Sequence, residues 1–181
     1  MPAFAIEPLI ASPKTCAVLS EILIATVAAG GSVSFMHPLA PESAAAFWNG
    51  ALAAANRDER IVLGAWEDEI LIATVSLLLD CPPNQPHRAE IAKMMTRPSH
   101  RGRGAATALL HEAERLAVAR GRTLLTLDTA AEDGASGFYE KLGYTLAGII
   151  PDYALKPHGG LTGTMVYWKR IGAAAGETHA I

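Results

Sequence analysis

The stretch AEIAKMMTRPSHRGRGAATALLHEAERLAVA, residues 89–119, decides the fold. Its first part, Ala89–Thr96, is short and mostly apolar and stops before Pro98, which is typical of a β-strand. A glycine-rich segment, 101–106, then indicates a tight turn. After it, apolar residues recur at helical spacing until Gly121 ends the pattern. We therefore predict a strand, a basic glycine loop and an amphipathic helix whose inner face carries Ala106, Leu109, Leu110, Ala113, Leu116 and Ala117.

The start of this helix is a predicted anion site. A helix N-terminus presents backbone N–H groups without intrahelical partners and about half a positive charge, and phosphate is its usual ligand. Glycines in the turn allow close approach of the backbone, and arginines add charge-assisted bonds to phosphate oxygens. The sequence therefore predicts a phosphate-bearing ligand held by Arg101, Gly102, Arg103, Gly104, Ala105 and Ala106.

Two other phosphate loops fit less well. The ATP-binding loop needs a Gly-Lys-Ser/Thr ending, which is missing from the sequence. The dinucleotide fingerprint is closer, because Gly102–Thr107 reads G-x-G-x-x-T and Asp128 follows at roughly the required ~20 residues. However, Thr107 occupies the third small position, and too little strand–helix alternation follows to complete a dinucleotide domain. A dinucleotide-binding oxidoreductase is therefore disfavoured.

The pattern Arg-x-x-Gly-x-Ala at residues 101–106 resembles the pyrophosphate loop of the GNAT family of N-acetyltransferases. A strand precedes the loop, a second strand (Thr123–Asp128) follows the helix, and FYEKLGY at 138–144 matches the family's second helix end. The resemblance implies an N-acetyltransferase that uses acetyl-CoA as co-substrate and a small-molecule amine as acceptor. A non-catalytic acyl-CoA sensor is the alternative. The family resemblance also implies an α/β fold. Its sheet should be mixed and mostly antiparallel, with one central parallel strand pair splayed around the acyl-CoA site and with helices on both faces.

The remaining patterns predict the order β-α-α-β-β-β-α-β-α-β-β. We expect one domain over residues 1–171 and a flexible tail over 172–181. The second helix should turn Ala46, Phe47, Gly50 and Ala54 inward. The other predicted elements are a strand at Phe4–Leu9, helices at Pro13–Ala28, Pro41–Asn56 and Asp133–Leu142, a hairpin of Ile61–Trp66 with Ile70–Leu79, and strands at Tyr144–Ile150 and Met165–Lys169 joined by a long loop, Pro151–Gly163.

Composition narrows the class of protein. A net charge of −3 over 181 residues gives no footprint for nucleic acid. Two isolated cysteines and six scattered histidines indicate neither a disulfide framework nor a metal site. The apolar segment Thr15–Ala29 is interrupted by Glu21 and is too short to span a bilayer. We expect a cytoplasmic protein without a membrane partner, either a monomer or a homodimer.

Acetyl transfer to an amine requires a base for the amine, a donor for the oxyanion and a proton for the thiolate. Glu90, Ala92, Met94 and Thr96 share one face of their strand by period-two spacing, so Glu90 is a candidate base in apolar surroundings. Asp128 ends the next strand, where functional loops emerge. The alternatives are an exposed glutamate at a strand start and an aspartate in an Asx turn or helix cap.

The family resemblance adds specific roles. AEIAKMM, LDT and FYEKLGY, with GGSVSFM and PDYALKPHG, resemble the tabtoxin-resistance acetyltransferases, which acetylate the amine of an amino-acid toxin. That implies toxin resistance, with Glu90 and Asp128 as active-site carboxylates and Tyr139 as the acid that protonates the thiolate; a core tyrosine is the alternative. It also implies that Met94, Met95 and Thr96 hold the pantetheine arm, that Glu132 replaces the usual asparagine, and that Gly30–Met36 and Tyr153–His158 surround the acceptor.

Overall fold

The seven strands of the described residues form one sheet in the order β1-β2-β3-β4-β5-β7-β6. The structure, a computed structural model, describes residues 4–132 and 136–172. The strands are β1 (Ala5–Pro8), β2 (Arg60–Glu67), β3 (Ile70–Leu78), β4 (Arg88–Thr96), β5 (Leu124–Ala130), β6 (Thr145–Leu155) and β7 (Leu161–Arg170), and the helices are α1 (Pro13–Ala28), α2 (Pro41–Asn56), α3 (Ala105–Ala119) and α4 (Ser136–Lys141).

One pair of strands is parallel, as predicted. β4 and β5 pair from Arg88 opposite Leu124 to Glu90 opposite Thr126, and no further pairing joins these two strands beyond that point. The other neighbouring strands of the sheet are antiparallel. The splayed parallel pair, with helices on both faces, confirms the predicted fold class and element order. It opens a gap in the centre of the sheet.

Two cores sandwich the sheet. On one face α3 buries Leu109, Leu110, Ala113 and Ala117 against β-strand side chains such as Leu125. On the other face α1 and α2 pack around the fully buried Trp48. Each large aliphatic side chain buried in this way, such as Leu109 or Leu110, stabilises the fold by roughly 1.5–3 kcal/mol. The helices are therefore fixed against the sheet.

The inward face predicted for α2 was partly wrong. Ala46 and Gly50 are exposed and Phe47 is half-buried, whereas Ala54 is buried as expected. The large apolar surface of Trp48 sets the rotation of the helix, because burying an indole stabilises more than burying alanines. The helix therefore turns Ala44, Trp48, Ala51 and Leu52 to the core.

The long loop predicted at Pro151–Gly163 was also wrong. β6 continues to Leu155 and β7 starts at Leu161, so only a short turn joins them. Pro151 is tolerated because β6 is an edge strand and its register shifts between Ile150 and Ala154. The turn closes with Lys156 N–H donating to the Gly160 carbonyl at 2.9 Å.

Some predictions fall outside the described residues. The first part of the helix predicted from Asp133 and nearly all of the predicted flexible tail lie in ranges 133–135 and 173–181. Among the described residues, no helix is long and apolar enough to cross a membrane.

Candidate active site

A β-bulge in β4 shapes the site. Ala92 lies opposite Ser76 and Met95 opposite Thr74, so the partner strand advances two residues while β4 advances three. Lys93 takes the extra place with φ +52°, in the left-handed region. The predicted face is therefore wrong beyond Ala92, because Met95, rather than Met94 and Thr96, follows Glu90 and Ala92 on that face. Met95 is buried in the core of α1 and α2.

A cleft of about 710 Å³ lies beside this bulge, at the N-terminus of α3. Its walls come from the loop after α1, the end of β4, the glycine loop, and Phe138 and Tyr139 of α4. Every residue predicted from the sequence to bind the cofactor lines it, namely Met94, Met95, Thr96, Arg101, Gly102, Arg103, Gly104, Ala105 and Ala106. The fold thus brings together two groups of predicted cofactor-binding residues, one at the end of β4 and one in the glycine loop.

The glycine loop leaves the start of α3 open. Gly104 is the N-cap residue with φ +93°, and it has no side-chain cap. Gly102 also has a positive φ, +74°, and among the described residues a Cβ there would meet no heavy atom within 4 Å beyond its two chain neighbours. Both positions adopt a conformation that side chains disfavour. The exposed N–H groups of the first turn therefore face the cleft with the positive end of the helix dipole.

Arg103 of this loop has a partner that the sequence did not reveal. Its Nη2 donates to Glu67 Oε1 at 2.5 Å, and His100 Nε2 lies 3.7 Å from the other oxygen of the same carboxylate. Glu67 ends β2, distant along the chain, so no local pattern connects it with the loop. Arg101 also lines the cleft and is exposed.

A second cavity, of about 320 Å³, lies next to the cleft. The two share Ser32, Val33, Met94 and Tyr139 as lining residues. All three predicted catalytic side chains, Glu90, Asp128 and Tyr139, line the second cavity. We refer to it as the acceptor cavity.

Glu90 sits beside a cation rather than in the apolar surroundings that we expected. Arg88 Nη1 lies 3.3 Å from Glu90 Oε2 and donates to Thr126 Oγ1 at 2.8 Å. Gln85 Oε1 accepts from Arg88 Nε at 2.7 Å. The guanidinium therefore ties the start of β4 to β5 and holds the Glu90 carboxylate at the rim of the cavity.

Asp128 lies inside β5, which continues to Ala130, so neither the predicted strand end nor the alternative of a turn or cap is correct. Its Oδ2 accepts a bond from Thr164 Oγ1 of β7 at 3.1 Å. Leu125 and Leu127 of the same strand are buried under α3, so Asp128 projects from the opposite face. Glu90 pairs with Thr126, two residues before Asp128, and both carboxylates face the same cavity.

Tyr139 packs in an aromatic cluster with Phe138, Tyr144 and Tyr167, at ring-centroid distances of 5.2, 5.9 and 5.8 Å. The side chain is 7% exposed. Burial, followed by the charge of Asp128 and by Tyr167, raises the pKa of Tyr139 to about 12. The hydroxyl is therefore a proton donor throughout the physiological range, and its partial exposure is toward both cavities.

Sequence reasoning missed two cations of the acceptor cavity, Lys93 and Arg60. Lys93 Nζ donates to Ser34 Oγ at 3.0 Å and lies 5.7 Å from the ring centroid of Phe47. Burial lowers the pKa of Lys93; the charge of Asp128 opposes this effect, Arg60 adds to it and Glu90 opposes it. The available signal in the sequence was a charged lysine between the apolar residues Ala92 and Met94.

The two loops predicted to surround the acceptor behave differently. Ser32, Val33 and Ser34 line the acceptor cavity, whereas among the described residues none from 153–158 does. The later segment supports the earlier one instead, because His37 N–H donates to the Pro157 carbonyl at 2.9 Å. Glu132, at the place of the family asparagine, is paired with Lys156 at 2.8 Å.

Comparison with known proteins bears on this geometry. Residues 32–144 match the model of the acetyltransferase (GNAT) family. The chain is similar in structure to an N-acetyltransferase from Staphylococcus aureus Mu50, with a TM-score of 0.78 and 18% identity over 93% of this chain and 98% of that one.

Two further solved structures share the fold. The protein yncA from Salmonella typhimurium, solved with its cofactor acetyl-CoA, has a TM-score of 0.74 and 17% identity over 98% of this chain and 99% of its own. An aminoglycoside 6'-N-acetyltransferase complexed with coenzyme A has a TM-score of 0.71 and 18% identity over 92% and 96%.

Proposed function

This chain belongs to the acetyltransferase (GNAT) family, and from that premise we propose that it transfers an acetyl group to a primary amine of a small molecule. The family assignment confirms the prediction of an N-acetyltransferase that depends on acetyl-CoA. The class of acceptor is our proposal. The observation that carries it is the wall that the two cavities share; one cavity lies at an open helix start and the other is lined by carboxylates.

The cleft suits the phosphate-bearing part of acetyl-CoA. An uncapped helix start, two glycines with positive φ and two arginines form one anion-binding surface. In our proposal Arg101 and Arg103, with the amides of 102–106, hold the pyrophosphate. The polar backbone of Met94–Thr96 holds the arm that leads to the acceptor cavity.

Acetyl-CoA supplies an activated acyl group, whose carbonyl carbon accepts the amine nitrogen while the carbon–sulfur bond breaks. The protein must orient a neutral amine and remove its proton. We assign this role to Glu90 and Asp128, which hold the ammonium form by charge and pass its proton through water to solvent. Their shared cavity and their position on one face of the sheet support the assignment.

Tyr139 is our candidate for stabilising the departing sulfur. Its raised pKa, about 12, lies above the pKa of a typical thiol, about 8.5, so complete proton transfer would be uphill. We infer that Tyr139 donates a hydrogen bond to the developing thiolate and keeps its proton. Its presence on the wall shared by both cavities supports this role.

Several finer expectations stay predictions. These are the toxin-like acceptor implied by the tabtoxin-resistance resemblance, a cytoplasmic location, and a monomeric or homodimeric state. A small acceptor agrees with the size of the acceptor cavity, about 320 Å³.

Release of free thiol from acetyl-CoA tests the proposed function directly. We expect thiol release to depend on an added small primary amine, and mass spectrometry to find that amine 42 Da heavier, roughly the mass of an acetyl group replacing a hydrogen. A panel should include amino acids, polyamines and amino sugars. Binding of acetyl-CoA without turnover on any amine would instead support the sensor alternative.

A further inference from the structure

We propose that Lys93, together with Arg60, binds a carboxylate of the acceptor, so that the preferred acceptors are amino acids rather than simple amines. This inference rests on the proposed function, because it assigns the acceptor cavity to the amine substrate. It concerns two residues that the transfer chemistry itself does not use. Both line the acceptor cavity together with Glu90 and Asp128.

The first support is the way Lys93 is held. Lys93 and Ser34 both have φ in the left-handed region, +52° and +72°, and their side chains meet at 3.0 Å. Such conformations cost free energy and cluster at binding and catalytic sites. The bulge carries the Lys93 ammonium into the cavity over the face of Phe47. The Ser34 hydroxyl and the Phe47 ring therefore fix the position of the ammonium.

The second support is an unpaired donor. Arg60 Nε is buried and has no hydrogen-bond partner among the described residues. An unsatisfied buried donor is costly, and a water, an ion or a ligand group that accepts its hydrogen bond removes this cost. A guanidinium matches a carboxylate with two parallel hydrogen bonds. Arg60 of β2 and Glu90 of β4 both pair with Leu78 of β3, which lies between them. The Arg60 donor and the Glu90 carboxylate therefore flank the same position of the sheet.

The third support is the balance of charge. Lys93 and Arg60 line the cavity and Arg88 pairs with Glu90, so three cations surround the two carboxylates Glu90 and Asp128. A simple ammonium acceptor would add a further positive charge to this group. An amino acid adds one charge of each sign, with its ammonium toward the carboxylates and its carboxylate toward Lys93. Burial lowers the pKa of Lys93, and a bound carboxylate would counteract that effect.

The test compares each L-amino acid with its own amide as acceptor. Amidation removes the carboxylate and also changes the pKa of the amine, so the decisive quantity is a change in the acid-to-amide ratio of kcat/KM between variants. We expect Lys93→Met to lower this ratio about 10–100-fold, the range for one hydrogen bond to a charged group. Lys93→Arg should retain most of the ratio, because it keeps the cation.

Controls separate this effect from loss of fold or of cofactor binding. Lys14→Met removes an exposed lysine at the start of α1, outside both cavities, and should leave the ratio unchanged. The KM for acetyl-CoA should be the same in all variants. Calorimetry on protein saturated with coenzyme A should show that wild type binds the free acids more tightly than the amides, and that Lys93→Met does not.

Three results would overturn the inference. In the first, Lys93→Met leaves the acid-to-amide ratio of kcat/KM within about twofold of wild type, and calorimetry gives equal affinities for the acids and the amides. Another is acetylation of Lys93 itself, seen by mass spectrometry after incubation with acetyl-CoA alone. The third is a wild-type preference for simple amines over both acids and amides. Turnover without acid-to-amide discrimination contradicts only the carboxylate site, whereas absence of turnover with calorimetric discrimination contradicts only the proposed function.

Discussion

Arg103 Nη2 donates to Glu67 Oε1 at 2.5 Å, so the arginine of the glycine loop is held by the last residue of β2. The Arg103 side chain is 42% exposed and the Glu67 side chain 26% exposed. Exposed ion pairs contribute about 0–1 kcal/mol to stability. The contact is therefore weak, and a ligand phosphate can replace the carboxylate as the partner of Arg103.

This relationship predicts opposite effects of two substitutions on coenzyme A affinity. Arg103→Ala should raise the Kd about 10–100-fold, because it removes a charge-assisted bond to phosphate. Glu67→Gln should lower the Kd up to about fivefold, because it releases the arginine and removes a nearby negative charge. Calorimetry with coenzyme A measures both.

Arg115 and Glu112 provide the matched controls. They form a 2.6 Å ion pair on α3, and neither lines the cleft. Arg115→Ala and Glu112→Gln should leave the Kd unchanged. An Arg103→Ala protein with wild-type affinity would show that the loop does not bind the pyrophosphate through this side chain.

The two glycines at the ends of α3 allow a second prediction. Gly104 at the start and Gly121 after the end have φ values of +93° and +70°, and a Cβ at either position meets no heavy atom closer than 4.0 Å. Alanine should therefore cost each protein about 1–2 kcal/mol of stability through backbone strain alone. Because Gly104 lines the cleft, Gly104→Ala should also weaken coenzyme A binding, and Gly121→Ala should not. Equal Kd values in the two variants would contradict the close approach of phosphate to Gly104.

The sequence predicted those parts of the site whose signals are local. A strand, two glycines and a helical apolar repeat adjoin one another, so the cofactor loop was visible without any structure. The bulge at Lys93 was not, because nothing in AEIAKMM marks which residue takes the extra place in the ladder. The simple period-two pattern therefore assigned Met94 and Thr96 to the wrong face.

Contacts between distant strands were missed for another reason. The partners Glu67 with Arg103, and Arg60 with the acceptor cavity, depend on strand order and register, which no short window of sequence contains. β6 was predicted too short because Pro151 normally interrupts a strand. At the edge of the sheet its missing N–H removes no bond to a neighbour, so the strand continues.

The raised pKa of Tyr139 predicts how stability changes in alkali. Its folded pKa of about 12 lies above the usual value of 10, so the folded state keeps the proton while the unfolded state loses it. The contribution of Tyr139 to the free energy of unfolding is complete below pH 10. Between pH 10 and 12 the free energy of unfolding falls by about 2–3 kcal/mol as this contribution is lost. Tyr139→Phe should lack this part of the loss, as measured by urea unfolding across that range. Tyr153→Phe, which changes an exposed tyrosine, should behave like wild type.

Tyr139→Phe also tests the proposed role in transfer. The substitution keeps the ring in its aromatic cluster and removes the hydroxyl alone. We expect kcat to fall about 10²–10³-fold, the range for loss of a hydrogen-bond donor to developing negative charge, with little change in the Kd for coenzyme A. Tyr144→Phe, in a neighbouring buried tyrosine that lines neither cavity, should lower kcat far less. A wild-type kcat in Tyr139→Phe would identify Tyr139 as a core residue.

Glu90 and Asp128 should act as one unit on the acceptor amine. Both carboxylates line the acceptor cavity, and Thr164 Oγ1 orients Asp128 as Arg88 orients Glu90. Glu90→Gln and Asp128→Asn keep the shape of each side chain, so fold and coenzyme A binding should persist. Each should lower kcat/KM for the amine, and the double variant should lose less than the product of the two single losses, because residues that act together are non-additive.

An α-amine with a pKa of about 7.7–8.0 is largely protonated at neutral pH, so each variant should need a higher pH for the same rate. If both single variants keep wild-type rates over about pH 6–9, another group removes the proton and the carboxylates only shape the cavity.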